Sequence, residues 1–178
     1  MNKIEIAEKL VAYHQAFINY VELLNKEQFE KNLNEKWSAS QHTDHIYKSI
    51  APVNLAFKLP KFLLKLFFGK TNRPSKSFDE LILKYQSKLQ LGGKAMGRFI
   101  PTEIKFDNRN TSFNNIINTT KSICTLILKM DEKELDLYIL PHPLLGKLTL
   151  REMLYFTIYH VEHHQKLIEK IFNPNQIL

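Results

Sequence analysis

Residues 149–174 read TLREMLYFTIYHVEHHQKLIEKIFNP. Thr149 can cap a helix here, and Asn173 and Pro174 can stop it after about Phe172. On that helix His160 and His164 stand four residues apart. This spacing puts both imidazoles on one face, about 5–6 Å apart at Cβ. Two such rings can hold one transition metal at about 2.0–2.1 Å per nitrogen. Pairing His160 with His163 is the alternative. The i, i+4 pair is preferred because Phe156 and Ile168 extend its stripe into an apolar face, whereas His163 neighbours Gln165 and Lys166. A helical pair of histidines is by itself only moderately specific, so its value depends on what the rest of the chain can bring to it.

Upstream, three further stretches have helical character. Residues 3–31 carry Ile4, Leu10, Val11, Phe17, Ile18, Val21 and Leu24 at roughly helical spacing with no Gly or Pro, which predicts one long amphipathic helix. A second helix begins in WSASQHTDHIYKSIAPVNLAF, residues 37–57. Ser38 or Ser40 can cap it, and Gln41 completes a capping-box pattern with Ser38. Ile46, Ile50 and Val53 form its inner stripe, and Pro52 is expected to kink it or mark its last regular turn. Residues 113–130 form a third helix with Phe113, Ile116, Ile117, Ile123, Leu126, Ile127 and Met130 on its apolar face; Cys124 falls in this pattern as a small buried hydrophobe. No stretch shows sustained period-two alternation, and 131–149 reads as a connecting loop. The expected fold class is all-α, a four-helix bundle, with the chain 1–178 forming a single domain and 58–110 an insertion of loops and short helices between the second and third helices.

The insertion is where the charge lies. The chain has 25 Lys and Arg against 18 Asp and Glu, a formal net charge of +7. Residues 58–105 hold 11 basic and 3 acidic groups, so the remainder is nearly balanced. Evenly spread lysines read as a solvated face, and no DNA or RNA recognition motif accompanies them, so no nucleic-acid partner is expected. Within the insertion, FKLPKFLLKLFFGK (57–70) is cationic and amphipathic. It can lie on a membrane surface, but continuing a helix or capping the core is favoured. Residues 78–91 look like a short helix. GGKAMG (92–97) follows a helical stretch rather than a strand and lacks phosphate-loop spacing, so it carries no nucleotide signal.

Composition excludes other classes. With 44% apolar and 24% charged residues the chain can bury a sizeable core and is not disordered. One cysteine excludes an internal disulfide framework and a cysteine-based zinc site. The apolar runs are broken by Lys every few residues, so no transmembrane segment is expected. The start, MNKIEIAEKLVAYHQ, lacks the pattern of a secretory peptide, and a cytoplasmic location is expected.

A third metal ligand can come from the second helix. His42 and His45 lie three apart there, and ligands on facing helices converge in a bundle core. His42 reads equally as a surface residue or one that supports a ligand, His45 as a hydrogen-bonded core histidine or a ligand. At this point the residues carry a resemblance. WSASQHTDHI resembles the W-[ST]-x-x-[EQ]-h-x-x-H-[LI] signature of DinB-like proteins, the superfamily that includes bacillithiol transferases. HPLLGKLTLREMLYFTIYHVEHHQKLIEKI is similar to the superfamily's H-P-x-x-G-x-[LM]-[ST]-x-x-E-x-x-x-F-x-x-x-H-x-x-x-H stretch. Met153 stands where that stretch usually has Trp, and the resemblance does not extend through 58–110.

The resemblance implies a four-helix bundle in which His45, His160 and His164 hold a divalent metal, often zinc or nickel, with open positions for a substrate. It also implies a homodimer and, for members with known activity, thiol-dependent S-transfer. Three neutral imidazoles leave the cation's charge uncompensated, so the site would take hydroxide, thiolate or carboxylate. The first functional reading is therefore a metal-dependent S-transferase that takes a low-molecular-weight thiol. The second is a metal-dependent hydrolase, and the third a non-catalytic bundle whose basic segment meets an anionic partner. His42 or Glu162 as a fourth ligand would favour the third. The catalytic residues are not assigned. Tyr47 and Tyr159 adjoin ligand positions and are read as packing residues. Glu152 can contact a ligand ring or orient the preceding loop, Asp44 is read as a surface charge, and His142 as a loop-fixing residue near the mouth of the site.

Overall fold

The structure, a computed structural model, describes residues 1–32 and 36–172. It is mostly helical. Four long helices form the frame: α1 (Lys3–Glu22), α3 (Ala39–Lys58), α6 (Arg109–Lys129) and α8 (Leu150–Phe172). Helix α1 packs against α6 and α8, and α3 packs against the same two, so the four close around a common core. Short helices α2 (Lys26–Glu30), α4 (Lys61–Phe67), α5 (Phe78–Gln90) and α7 (Glu132–Leu135) fill the connections. The core is built from the apolar stripes of the long helices, with Leu10, Phe17, Ile46, Ile50, Ile116, Ile123, Leu154 and Ile158 all buried. Cys124 is buried among them, its Sγ–H directed at the Ala7 carbonyl at 3.5 Å.

Three local outcomes differ from the sequence expectations. The helix expected over 3–31 breaks at Leu23–Asn25, where the Asn25 side chain accepts the Gln28 N–H and starts α2. Pro52 does not end α3, which continues to Lys58. Pro60 ends it instead, because the residue before a proline is pushed out of helical conformation: Leu59 has ψ of 140° and α4 restarts at Lys61. The loop expected over 131–149 contains the one-turn helix α7 and a hairpin, β1 (Ile139–His142) paired antiparallel with β2 (Gly146–Thr149). Gly146, at φ +77°, supplies the turn conformation that a side chain would resist. Each strand has only four residues, too few for alternation to show. The helix stop expected at Asn173 and Pro174 lies outside the described residues.

The segment between α3 and α6 is partly a cap. Helix α4 buries Leu64 but leaves Phe62, Leu66 and Phe67 exposed at 68%, 72% and 62%. Helix α5 packs on α8 through Leu81 and Tyr85. Its C-terminus turns at Gly92, φ +86°. The chain then returns to α6 through two short 3₁₀ turns, Gly97–Phe99 and Phe106–Asn108. Among the described residues no helix is long and apolar enough to cross a membrane.

Candidate metal centre

Two helix starts aim the histidines. At α3, Ser38 Oγ accepts the Gln41 N–H at 3.2 Å while Gln41 Oε1 accepts the Ser38 N–H at 3.0 Å, a reciprocal cap. It fixes the register that turns His42 and His45 inward, both buried. At α8, Thr149 and Glu152 form the same arrangement at 2.9 and 3.1 Å, which sets His160 and His164 two and three turns on. Both are also buried.

The rings meet. His160 Nε2 lies 3.2 Å from His45 Nε2 and 3.0 Å from His164 Nε2. One nitrogen from each of the three residues lies within 4.8 Å of the other two. Ligand nitrogens about 2.0–2.1 Å from a common ion sit about 3.3 Å apart at tetrahedral angles and about 2.9 Å at right angles. The two Nε2 separations fall in that interval, so this cluster can hold a metal ion.

Hydrogen bonding at the far nitrogens prepares two of the rings. His45 Nδ1–H donates to the Phe99 carbonyl at 2.7 Å. A carbonyl cannot donate, so the neutral ring carries its lone pair on Nε2. His164 Nδ1 lies 2.7 Å from His42 Nδ1. One proton occupies that contact, and with it on His164 the lone pair there also falls on Nε2. Burial pushes the pKa of His160 and His164 well below the usual histidine value, with the neighbouring histidines adding to it. Burial also lowers His45, and lowers His42 to about 3. Neutral rings are the form in which histidine binds metal.

His42 is thus a support for His164 and lies outside the three-residue group. Glu162 lies outside it too, bound to Lys166 at 2.6 Å. Neither candidate fourth ligand joins the cluster. Glu152 does not reach a histidine. Fully buried, it accepts from Arg73 Nη1 and Nη2 at 2.6 and 2.8 Å, from the Lys76 N–H at 2.8 Å and from the Thr149 N–H. Burial alone would raise its pKa, but these donors hold it below the usual carboxylate range. It therefore orients the loop before α5 and the start of α8. His142 Nδ1 accepts the Leu144 and Leu145 N–H groups, both at 3.1 Å, so it does fix its loop, and its ring also lines the cavity at the site. Tyr159 bonds Gln86, Tyr47 packs against the core, and neither lines that cavity.

Asp44 is more than a surface charge. It accepts the Thr102 N–H at 2.7 Å and pairs with Lys48 at 2.7 Å, and Lys48 also donates to the Ile100 carbonyl at 3.0 Å. These contacts pin residues 100–102 to α3 and so place the Phe99 carbonyl on His45. A backbone acceptor 54 positions downstream leaves no side-chain signal in the sequence. Two side-chain contributions were also not assigned from sequence. Trp37 stacks on His164, with ring centroids 6.1 Å apart and planes 9° apart, and lies 5.0 Å from His45. Arg73 is the half-buried partner of the buried Glu152, and nothing distinguishes it in sequence from the other cations of residues 58–105.

A family model described as the DinB superfamily matches residues 9–168, which include all three histidines and also the segment 58–110, where the sequence resemblance is not expected to extend. Searches of curated proteins and of solved structures found no match. With the match extending over most of its length, the chain belongs to the DinB superfamily.

Proposed function

We propose that the protein is a metal-dependent enzyme in which His45, His160 and His164 hold a divalent ion, zinc or nickel, and that it transfers a low-molecular-weight thiol to an electrophilic small molecule. The observation that carries this reading is the pair of Nε2 separations, 3.0 and 3.2 Å, between buried neutral rings from two helices. An ion held there would supply Lewis acidity, favouring the thiolate form of a thiol at neutral pH. The histidines contribute no charge, so the anionic form of the thiol is what complements the site. Phe156, stacked on His160 with centroids 4.7 Å apart, and Trp37, against His45 and His164, restrict water around the cluster. His142, its Nδ1 committed to two N–H groups and its pKa lowered by burial to about 4, keeps its proton on Nε2 at the cavity wall. In the transfer the sulfur, its proton lost to water, bonds to the electrophilic carbon as the carbon–leaving-group bond breaks; the leaving group keeps the electron pair.

Elemental analysis of the purified protein tests the centre, with about one divalent ion per chain expected and little retained by His164→Ala. Full metal occupancy in that variant would refute the ligand set. Thiol-consumption assays with a panel of thiols and an alkylating electrophile test the reaction. Rates in the metal-loaded protein should exceed those after chelation.

A further inference from the structure

The histidine cluster forms only part of a cavity of about 800 Å³. That is in the upper part of the range for small-molecule sites, roughly 300–1,000 Å³. Away from the histidines its wall is apolar: Val53 and Ala56 of α3, Phe68 after α4, Leu89 of α5, Met96, and Leu144 of the hairpin. Four exposed cations reach it from distant parts of the chain: Lys36, Lys94, Arg98 and Lys170. No described Asp or Glu lines it. None of the four has a carboxylate partner among the described residues. Unpaired cations around an apolar recess focus a positive potential on whatever enters it.

We infer that the cavity binds an anionic amphiphile, an apolar chain joined to a carboxylate, phosphate or sulfate, with the chain along the apolar wall and the head among Arg98, Lys94, Lys36 and Lys170. This rests on the reading of the histidine cluster as the reacting centre, and it names the class of the second substrate. The apolar wall is larger than a small hydrophilic thiol would need, and the cations give it a head-group preference that a purely apolar compound would not satisfy.

Trp37 is the chain's single tryptophan and lines the cavity, so its emission reports occupancy. Dodecanoate, kept below its critical micelle concentration, is titrated into metal-loaded and metal-free protein. Butanoate (same head, little chain) and dodecyltrimethylammonium (same chain, opposite charge) are the comparisons. Dodecanoate should bind more than about tenfold tighter than butanoate, since each buried methylene is worth about fourfold. It should likewise bind tighter than the cationic amphiphile. The double variant Lys94→Gln/Arg98→Gln should weaken it about three- to tenfold without changing metal content. Ala56→Phe, which fills part of the apolar wall, should weaken it several-fold.

Equal affinity for the cationic amphiphile would overturn the inference. So would an affinity unchanged by Ala56→Phe, since the chain would then not lie along that wall. A response seen only with metal and indifferent to the rim variant would also overturn it, because the carboxylate would simply be ligating the ion. Metal content is measured on the same samples. Rim-dependent binding by a protein that takes up no metal would leave the ligand class standing and remove the reacting centre, so the two failures are distinguishable.

Discussion

Replacing His14 with leucine should make the protein more tolerant of acid. His14 lies on α1 and is fully buried, its Nδ1–H donating to the Leu10 carbonyl at 2.8 Å and its Nε2 without a partner among the described residues. Burial lowers its pKa from 6.5 to about 4, against a smaller upward pull from the Leu10 carbonyl. The unfolded chain therefore binds more protons than the folded one between those two values. Stability is full above pH 6.5, falls as the pH drops below it, and levels off near pH 4. At pH 5 the loss from this one group is about 2 kcal/mol, of about 3 kcal/mol in all. Leucine cannot titrate. At pH 7.5 it loses one hydrogen bond, worth about 1 kcal/mol, and relieves the orphaned nitrogen, so stability there should change little. Urea unfolding followed by far-UV circular dichroism, on chelated protein so that metal release does not contribute, gives the difference between pH 7.5 and pH 5. That difference should be about 2 kcal/mol smaller in the variant. An unchanged difference would refute the reasoning, because His14 would then titrate alike in both states.

His42→Ala should retain the metal but bind it about 10- to 100-fold more weakly, as expected when a ligand ring loses its hydrogen-bond partner; competition with a chromophoric chelator measures this. Metal affinity should change little between pH 7.5 and 6 and fall only at lower pH, because burial holds the ligand histidines below the ordinary histidine value and protons compete for their nitrogens only there; the same competition at pH 7.5, 6 and 5 checks this. Glu152→Gln should cost about 1–3 kcal/mol, since it weakens the charge-assisted hydrogen bonds from Arg73, whose charge is partly solvated; denaturant unfolding at neutral pH reads it. Ser38→Ala removes the cap of α3 and should cost about 1 kcal/mol, by the same unfolding measurement.

The parts of the fold that could be read in the sequence are local in origin. Ser38 with Gln41 and the spacing of His160 and His164 each fall within one or two turns of chain, and the structure forms both as read. The apolar stripes located the four long helices for the same reason, although the break at Leu23–Asn25 and the restart after Pro60 were not anticipated. Helix α6 starts at Arg109, four residues before the expected Phe113, because its first turn is polar. What was not legible depends on distant parts of the chain meeting. The hairpin exists by pairing Ile139 with Thr149, and Glu152 finds its guanidinium 79 positions upstream. The His42–His164 contact belongs to the same class. Both residues are visible as histidines, but the 2.7 Å contact between them is made across the bundle and leaves no mark in the sequence.

The contact between His45 and the Phe99 carbonyl has a consequence for how this centre can vary. An acceptor made of backbone survives every side-chain replacement at position 99 that preserves the loop's path. It does not survive a change of loop length. Adding or removing a residue between α5 and α6 would shift which peptide faces the imidazole. The tuning of the centre is thus exposed to insertions and deletions in a connector that contributes no ligand of its own, and comparatively sheltered from point changes there.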